Sequence, residues 1–111
     1  PHAVPCCFAI EGRRIYTPVD SVKPKTTTSL QRLENIAACP KVSLLVDHYD
    51  DDWEQLWWAR LDGTAELVAD DDWRAERGTE LLSEKYPQYV GADLQIIVVD
   101  IERWVSWPDD V

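Results

Sequence analysis

Lys23 and Lys25 stand two residues apart, directly ahead of three threonines, Thr26–Thr28. Ammonium groups neutralise the charge of a phosphate, and threonine hydroxyls donate hydrogen bonds to its oxygens. The segment also precedes a predicted helix, whose N-terminal amides favour an anion. The pattern therefore indicates a phosphate-binding loop. It has no glycine-rich cradle, however, and a solvated loop ahead of a capped helix has the same composition, so spacing alone leaves both interpretations open.

The net charge of the chain argues against two classes of binding partner. Its 111 residues carry 11 Lys and Arg against 21 Asp and Glu, a formal net charge of −10 at pH 7. Such a charge repels nucleic acids and anionic membranes, so we expect neither as a partner. Hydrophobic residues make up 45%, which predicts one packed domain over residues 1–111. The longest aliphatic run, Ile96–Val99, is far shorter than a membrane helix.

The cysteines offer little chemistry. Cys6 and Cys7 are adjacent, so they point to opposite faces of a strand and cannot act as a CxxC redox pair. With Cys39 they make an odd number, which predicts no disulfide framework and favours a reducing, cytoplasmic location. We interpret Cys6 and Cys7 as small buried residues. The acidic segment Asp47–Asp52 contains His48 but matches no metal-binding template, so we interpret it as a strand ending in a solvated loop.

Six tryptophans against one phenylalanine suggest stacking surfaces or a subunit interface. Trp57 and Trp58 alternate along a predicted strand and therefore face opposite sides. One of them can pack in the core while the other faces a partner chain or an aromatic cofactor. We expect Trp104 and Trp107, three residues apart, to close the same pocket.

These residues are carried by a mainly β chain with two inserted helices. The Gly12 turn predicts a β-hairpin, and Asp62-Gly63 is either a hairpin or a bulge in one long strand. Hairpin-like connections favour an antiparallel barrel or sheet over a doubly wound fold. The apolar centre Ile96–Val99 predicts a central strand. The pattern predicts about six strands, His2–Ile10, Arg14–Val19, Lys41–Tyr49, Leu56–Val68 as one strand or two, and Leu94–Val105, and two helices, one from a Thr28 cap to Pro40 and one from Asp70 to Tyr86. The residues predicted on the apolar faces of the helices are Leu30, Leu33, Ile36 and Ala37 on the first and Ala75, Gly78, Leu82 and Tyr86 on the second. Along the third strand, Val42, Leu44 and Val46 point to one face.

Several segments together resemble the pyridoxamine 5′-phosphate oxidase-like superfamily. The resemblance begins with PHAVPCCFA at residues 1–9 and Glu11-Gly12. It is most specific from the Lys23-Pro24-Lys25 motif through LQRLENIAA at 30–38 and PKVSLLVD at 40–47, where it resembles the branch of deazaflavin (coenzyme F-420) dependent oxidoreductases. It continues through WWAR at 57–60, GTA at 63–65 and KYPQY at 85–89 to Arg103-Trp104, and so covers nearly the whole chain.

The resemblance implies a split β-barrel of the FMN-binding-protein type, with a bulged long strand at Asp62-Gly63. It implies a homodimer with a flavin or deazaflavin at the subunit interface. The family usually has a helix and a strand ahead of the position of Pro1. Because the chain starts there and contains no Met, we expect that the natural N-terminal strand is missing, which would leave an exposed sheet edge.

The resemblance also implies a cofactor site and a function. The protein is expected to be an oxidoreductase that uses coenzyme F-420 for hydride transfer to or from a small organic substrate, without a protein acid or base. The alternatives are an FMN-dependent pyridoxamine 5′-phosphate oxidase-like enzyme and a non-catalytic or truncated, inactive paralogue. The implied cofactor-binding residues are Lys23 and Lys25 at the phosphate with Thr26 and Thr27, the backbone of Pro5 and Cys6 along the ring, and Thr17 near the ribityl chain. To these we add Trp58, as the tryptophan that can face an aromatic cofactor.

Overall fold

The computed structural model describes residues 6–19, 34–92 and 94–108. The strands are β1 (Ala9–Glu11), β2 (Arg14–Val19), β3 (Lys41–His48), β4 (Trp57–Leu67) and β5 (Gln95–Trp107). Residues 34–38 form helix α1 as far as it is described, and Trp73–Lys85 form helix α2. Trp53–Gln55 and Pro87–Tyr89 are short 3-10 helices. The Thr28 cap and residues 2–5 of the predicted first strand lie outside the described residues.

The five strands form one antiparallel sheet in the order β1-β2-β5-β4-β3. This confirms the mainly β fold class with helices inserted between strands. Strand β5 is central, as its apolar segment Ile96–Val99 predicts, and the side chains of that segment are buried on both faces. Each face of the sheet packs against its own hydrophobic core, and the burial of apolar side chains in these cores stabilises the fold.

The β1–β2 hairpin confirms the predicted turn. Glu11 pairs with Arg14, so the two loop residues are Gly12 and Arg13. Gly12 has φ 63°, whereas Arg13 does not have a positive φ. A positive φ at the first loop position alone is the type II′ arrangement, which glycine adopts without strain and which suits the twist of two paired strands.

The structure has a β-bulge at Asp62-Gly63, where the local sequence is compatible with either a hairpin or a bulge. Asp62 pairs with Arg103 and Gly63 with Ile101, so Glu102 is the extra residue and β4 is one long strand. A Cβ at position 63 would lie 2.2 Å from the carbonyl oxygen of Asp100, so only glycine allows this close approach. The bulge divides the sheet into a half that contains β1 and β2 and a half that contains β3.

Two hydrophobic cores lie on the two sides of the sheet. Helix α2 covers the first, and its predicted inward residues Ala75, Gly78 and Leu82 are buried. The second core contains Leu61 and Ile97, and receives Ile36 from α1. Ala37, which is predicted to lie on the same apolar helix face as Ile36, is exposed. Within the described ranges, neither helix combines the length and the apolar composition that crossing a bilayer requires.

Helix α2 begins later and β5 ends later than predicted. Asp72 is the N-cap, accepting a hydrogen bond from the Arg74 N–H at 2.9 Å, so Asp70 and Asp71 belong to the preceding turn. Strand β5 continues to Trp107 because β4 pairs with it along that length. The expectation that Cys6 and Cys7 are small buried residues is wrong for Cys6, which is exposed; Cys7 is half-buried.

Candidate functional site

Three of the predicted cofactor-binding residues fall within the described part of the chain: Cys6, Thr17 and Trp58. Cys6 is exposed just ahead of β1, Thr17 is buried in β2, and Trp58 is partly exposed in β4. The assignments of the others stay predictions, because these residues lie outside the described ranges: Pro5, Lys23, Lys25, Thr26 and Thr27.

Thr17 holds the backbone of the segment that precedes β1. Its hydroxyl donates a hydrogen bond of 2.7 Å to the carbonyl oxygen of Cys7. Continuing the β1–β2 register would set Cys7 opposite Pro18, which has no N–H to donate. The side chain of Thr17 therefore supplies the hydrogen bond that the ladder cannot supply there. Its contribution to a ribityl site stays a prediction.

The C-terminal end of α2 holds the next residue of the same segment. Lys85 donates a 2.7 Å hydrogen bond from Nζ to the Phe8 carbonyl oxygen, and Nζ also lies 4.0 Å from the centre of the Phe8 ring. The Tyr86 hydroxyl donates to the same carbonyl and accepts from the Phe8 N–H, both at 3.3 Å. Residues 6–8, which we call the tethered segment, are thus attached by side chains from β2 and α2.

Lys85 and Tyr86 are not among the site residues predicted from the sequence, whose local pattern places them only at a helix end. The contacts join residues 77 and 78 positions apart, so no local pattern reports them. The one available signal is that KYPQY, at residues 85–89, belongs to the motifs that carry the family resemblance.

Trp58 lies in the other half of the sheet. It is 37% exposed and pairs across the strands with Trp107, which is 47% exposed. Leu45 and Val105 lie on the same face as Trp58. Both pair across the strands with Arg60, which is two residues from Trp58 along β4 and therefore shares its face. We call Leu45, Trp58, Val105 and Trp107 the outer apolar face; the charged Asp47, paired with Trp58, and Arg60, between Leu45 and Val105, lie on the same side of the sheet. Alternation places Trp57 on the opposite face, as predicted, where it stacks with His48 at a ring-centre distance of 6.1 Å.

The expectation that Trp104 and Trp107 close the same pocket is wrong. Trp104 pairs with the inward-facing Leu61, whereas Trp107 pairs with Trp58. Residues three apart in a strand face opposite sides, and no bulge separates these two.

One chain does not bring Cys6 and Trp58 together. Residue Pro18, next to the tethered segment, pairs with Ile96, whereas Trp58 pairs with Trp107. The path along β5 from Ile96 to Trp107 is roughly 35 Å of extended strand. These two predicted contacts therefore lie at opposite ends of the sheet.

Carboxylates engage most basic side chains that the structure describes. Arg14 contacts Asp100 at 3.3 Å, and Lys41 contacts Glu102 at 2.8 Å. Arg74 contacts both Asp72 and Glu66, which lowers the pKa of Asp72 to about 2 through hydrogen bonds from the Arg74 side chain and backbone. Further pairs join Arg60 to Asp62, and Arg77 to Glu11 and Glu80. Cations paired in this way are poor candidates for holding a phosphate.

The acidic segment caps its own turn. Asp50 accepts a hydrogen bond from the Asp52 N–H at 2.9 Å, and Asp52 accepts one from the Glu54 N–H at 3.1 Å. In the ranges that the structure describes, no three His, Cys, Asp or Glu side chains are grouped so as to hold a metal ion. A groove on the surface of β3, β4 and β5 is lined by Lys41, Ser43, Asp62 and Glu102. Its charged groups pair with their neighbours.

Comparisons with known proteins identify relatives of this architecture. A sequence-family model described as Pyridoxamine 5′-phosphate oxidase matches residues 1–108. Among solved structures, the chain is similar to an FAD-binding protein from Mesorhizobium loti, with a TM-score of 0.68 and 19% identity, covering 96% of this chain and 73% of that one. At this identity the likeness shows the fold, and the two matches confirm the predicted split β-barrel. No functionally curated protein matches significantly.

Proposed function

Since this chain belongs to the pyridoxamine 5′-phosphate oxidase family, we propose that it is an oxidoreductase that binds a flavin or deazaflavin and acts on a small organic substrate. The observation that carries the proposal is the family match over residues 1–108, which includes both the tethered segment and the Lys23-Pro24-Lys25 motif. Members of this family are typically oxidoreductases that bind a flavin-type cofactor.

Coenzyme F-420 is the cofactor we propose. The support is the resemblance of residues 23–47 to the deazaflavin-dependent branch, the most specific part of the sequence. FMN is the second candidate, because the family description and the similar FAD-binding structure both point to ordinary flavins. Both cofactors pair a flat, hydride-carrying ring with a phosphate on a polyol chain, so the same donor set serves either.

The chemistry of the described residues fits such a cofactor. The ring needs an apolar or backbone surface, which the exposed Cys6 of the tethered segment and the outer apolar face provide. The phosphate needs cations, and carboxylates engage most of the described ones. We therefore assign the phosphate to Lys23 and Lys25, with Thr26 and Thr27 as hydroxyl donors. The bound cofactor supplies the hydride chemistry, while the chain binds it, orients it and excludes water.

We propose that the site lies between two copies of the chain. Cys6 and Trp58 are at opposite ends of the sheet, so a ligand that contacts both must touch two protomers. No other described element covers the outer apolar face, and exposed tryptophans are typical of interface cores. An antiparallel arrangement of two copies would set Trp58 of one protomer against the tethered segment of its partner.

Titration of the purified protein with each cofactor tests the proposal. A ligand that binds only the folded state stabilises it by about 2.7 kcal/mol at 100 times its Kd. We expect a thermal shift and a fluorescence change with coenzyme F-420. A response to FMN alone would select the second candidate, and a response to neither would support a non-catalytic or inactive paralogue.

Lys25→Ala tests the phosphate assignment. Removing a charged hydrogen-bond donor should weaken cofactor binding by about 1.5–3 kcal/mol. Lys41→Ala is the matched control, because the Lys41 ammonium already contacts Glu102 and Thr64. Equal affinity of Lys25→Ala and the wild type would contradict the assignment.

Trp58→Ala tests the interface. We expect light scattering to show a shift from dimer toward monomer at the same protein concentration, because the variant removes apolar contact area at the outer apolar face. Trp53→Ala is the control, since Trp53 is 76% exposed in the acidic loop. An unchanged dimer in Trp58→Ala would place the interface elsewhere.

A further inference from the structure

We propose that Lys85 and Tyr86 are positioning residues of the cofactor site, which hold the tethered segment so that the backbone at Cys6 keeps the orientation that the ring requires. This inference rests on the proposed function, because the resemblance places that backbone along the ring. It gives the C-terminal end of α2 a supporting role in cofactor binding. Neither Lys85 nor Tyr86 is among the site residues predicted from the sequence.

The Phe8 peptide groups are where the contacts converge. The Phe8 carbonyl accepts hydrogen bonds from Lys85 Nζ at 2.7 Å and from the Tyr86 hydroxyl at 3.3 Å. The Phe8 N–H donates to the same hydroxyl at 3.3 Å. The described β1–β2 ladder begins only at Ala9, and in its continued register Phe8 would form a non-hydrogen-bonded pair with Thr17. The Phe8 N–H and carbonyl therefore lie on the edge that faces away from β2, where Lys85 and Tyr86 supply their hydrogen bonds.

Lys85 is itself held in place. Its ammonium lies 4.0 Å from the Phe8 ring centre and 5.3 Å from the Tyr86 ring centre, so two aromatic faces fix the cation over the segment. A lysine in the last turn of a helix also interacts favourably with the helix dipole. Both effects favour one position of the ammonium group over the mobility usual for an exposed lysine.

The anchor behind these side chains is rigid. The Tyr86 N–H donates to the Leu82 carbonyl at 2.7 Å, and Leu82 is fully buried in the first core. The Tyr86 ring meets the buried Tyr89 ring edge-on at 5.8 Å. Through these contacts the position of Phe8, two residues from Cys6, is fixed relative to the helix and the core rather than by β1 alone.

Residues that only stabilised the fold would make the same contacts, so the test needs a measurement that a change in stability alone does not alter. We would prepare Lys85→Met, Tyr86→Phe and Lys85→Arg, with Glu84→Gln as the control, since Glu84 is an exposed neighbour on the same turn. Each variant is titrated with coenzyme F-420 and with FMN. The Kd and the absorbance maximum of the bound cofactor are measured well below the melting temperature of the variant.

The proposal predicts that Lys85→Met and Tyr86→Phe each raise the Kd, by about three- to tenfold for the loss of one hydrogen bond, and shift the absorbance maximum. Lys85→Arg, which keeps a charged donor, should restore both values, and Glu84→Gln should match the wild type. If Lys85→Met does not fold, Tyr86→Phe decides, because it removes only one oxygen atom.

Two results would overturn the proposal, and they differ. If a variant melts at a lower temperature but keeps the wild-type Kd and spectrum, the substituted residue only stabilises the fold. That result leaves the proposed function unaffected. Wild-type protein that binds neither cofactor rejects the proposed function and, with it, the positioning role.

Discussion

Thr17→Val isolates a single hydrogen bond next to the candidate site. The substitution keeps the branched shape of a side chain that is only 6% exposed. It removes the hydroxyl that donates to the Cys7 carbonyl at 2.7 Å. One intramolecular hydrogen bond contributes about 1 kcal/mol net, and the half-buried Cys7 carbonyl regains only part of it from water. We expect a loss of about 1–2 kcal/mol in the free energy of unfolding, or on the order of 5 °C in Tm.

Urea unfolding followed by tryptophan fluorescence measures the stability change. A second assay reports on the tethered segment: Cys7 packs against the first core, whereas Cys6 and Cys39 are exposed. In a chain with Cys6 and Cys39 replaced by serine, the remaining thiol should react slowly with a disulfide reagent. Thr17→Val should speed that reaction, because the segment separates from β2 more often.

The control is Thr64→Val, which removes a hydroxyl bonded to the exposed Glu102 at 3.0 Å. It should leave the reaction rate of Cys7 unchanged. The reasoning is refuted if Thr17→Val matches the wild type both in urea midpoint and in thiol reactivity, since Thr17 would then not hold the segment.

Three further predictions concern stability. Gly63→Ala should lower Tm in a circular dichroism melt, with a cost of about 1–3 kcal/mol or more, because its Cβ would lie 2.2 Å from the Asp100 carbonyl oxygen; an unchanged melt would contradict the bulge geometry. Leu82→Ala should cost about 2–5 kcal/mol in urea unfolding, because Leu82 is 0% exposed; a loss below 1 kcal/mol, roughly one CH₂, would contradict the packing. Asp72→Asn keeps a capping oxygen but loses the charge, so it should melt below the wild type at pH 7; because the Asp72 pKa falls from 3.8 to about 2 on folding, this difference should disappear as pH falls through that interval. A difference that persists below that interval would contradict the role assigned to the Asp72 carboxylate.

Several elements could be predicted because their causes are local. The positive φ of Gly12 defines the hairpin, and the apolar run Ile96–Val99 requires a strand buried on both faces. Val42, Leu44 and Val46 share one face of β3, as alternation predicts, and the structure packs that face against the second core. In each case the determining interactions lie within a few residues, where composition and period report them directly.

The candidate site was less predictable because its geometry depends on register. Without the extra residue Glu102, alternation from the inward Ile101 would place Trp107 on the inner face of the sheet. The bulge reverses the alternation, and Trp107 comes to lie beside Trp58 on the outer apolar face. The local pattern at Asp62-Gly63 was compatible with a hairpin or a bulge; the family resemblance favoured the bulge, and the pairing of β4 with β5 confirms it.

By itself, the sequence determined the class of fold, the central strand, the family resemblance and the residue types that suit a phosphate and a flat ring. The tertiary structure decided which residues hold the tethered segment and which tryptophans share a face. Lys85 and Tyr86 reach Phe8 across more than seventy residues of chain. Contacts of this kind depend on how the helix packs on the sheet, which is a property of the whole core and leaves no periodic trace in the residues themselves.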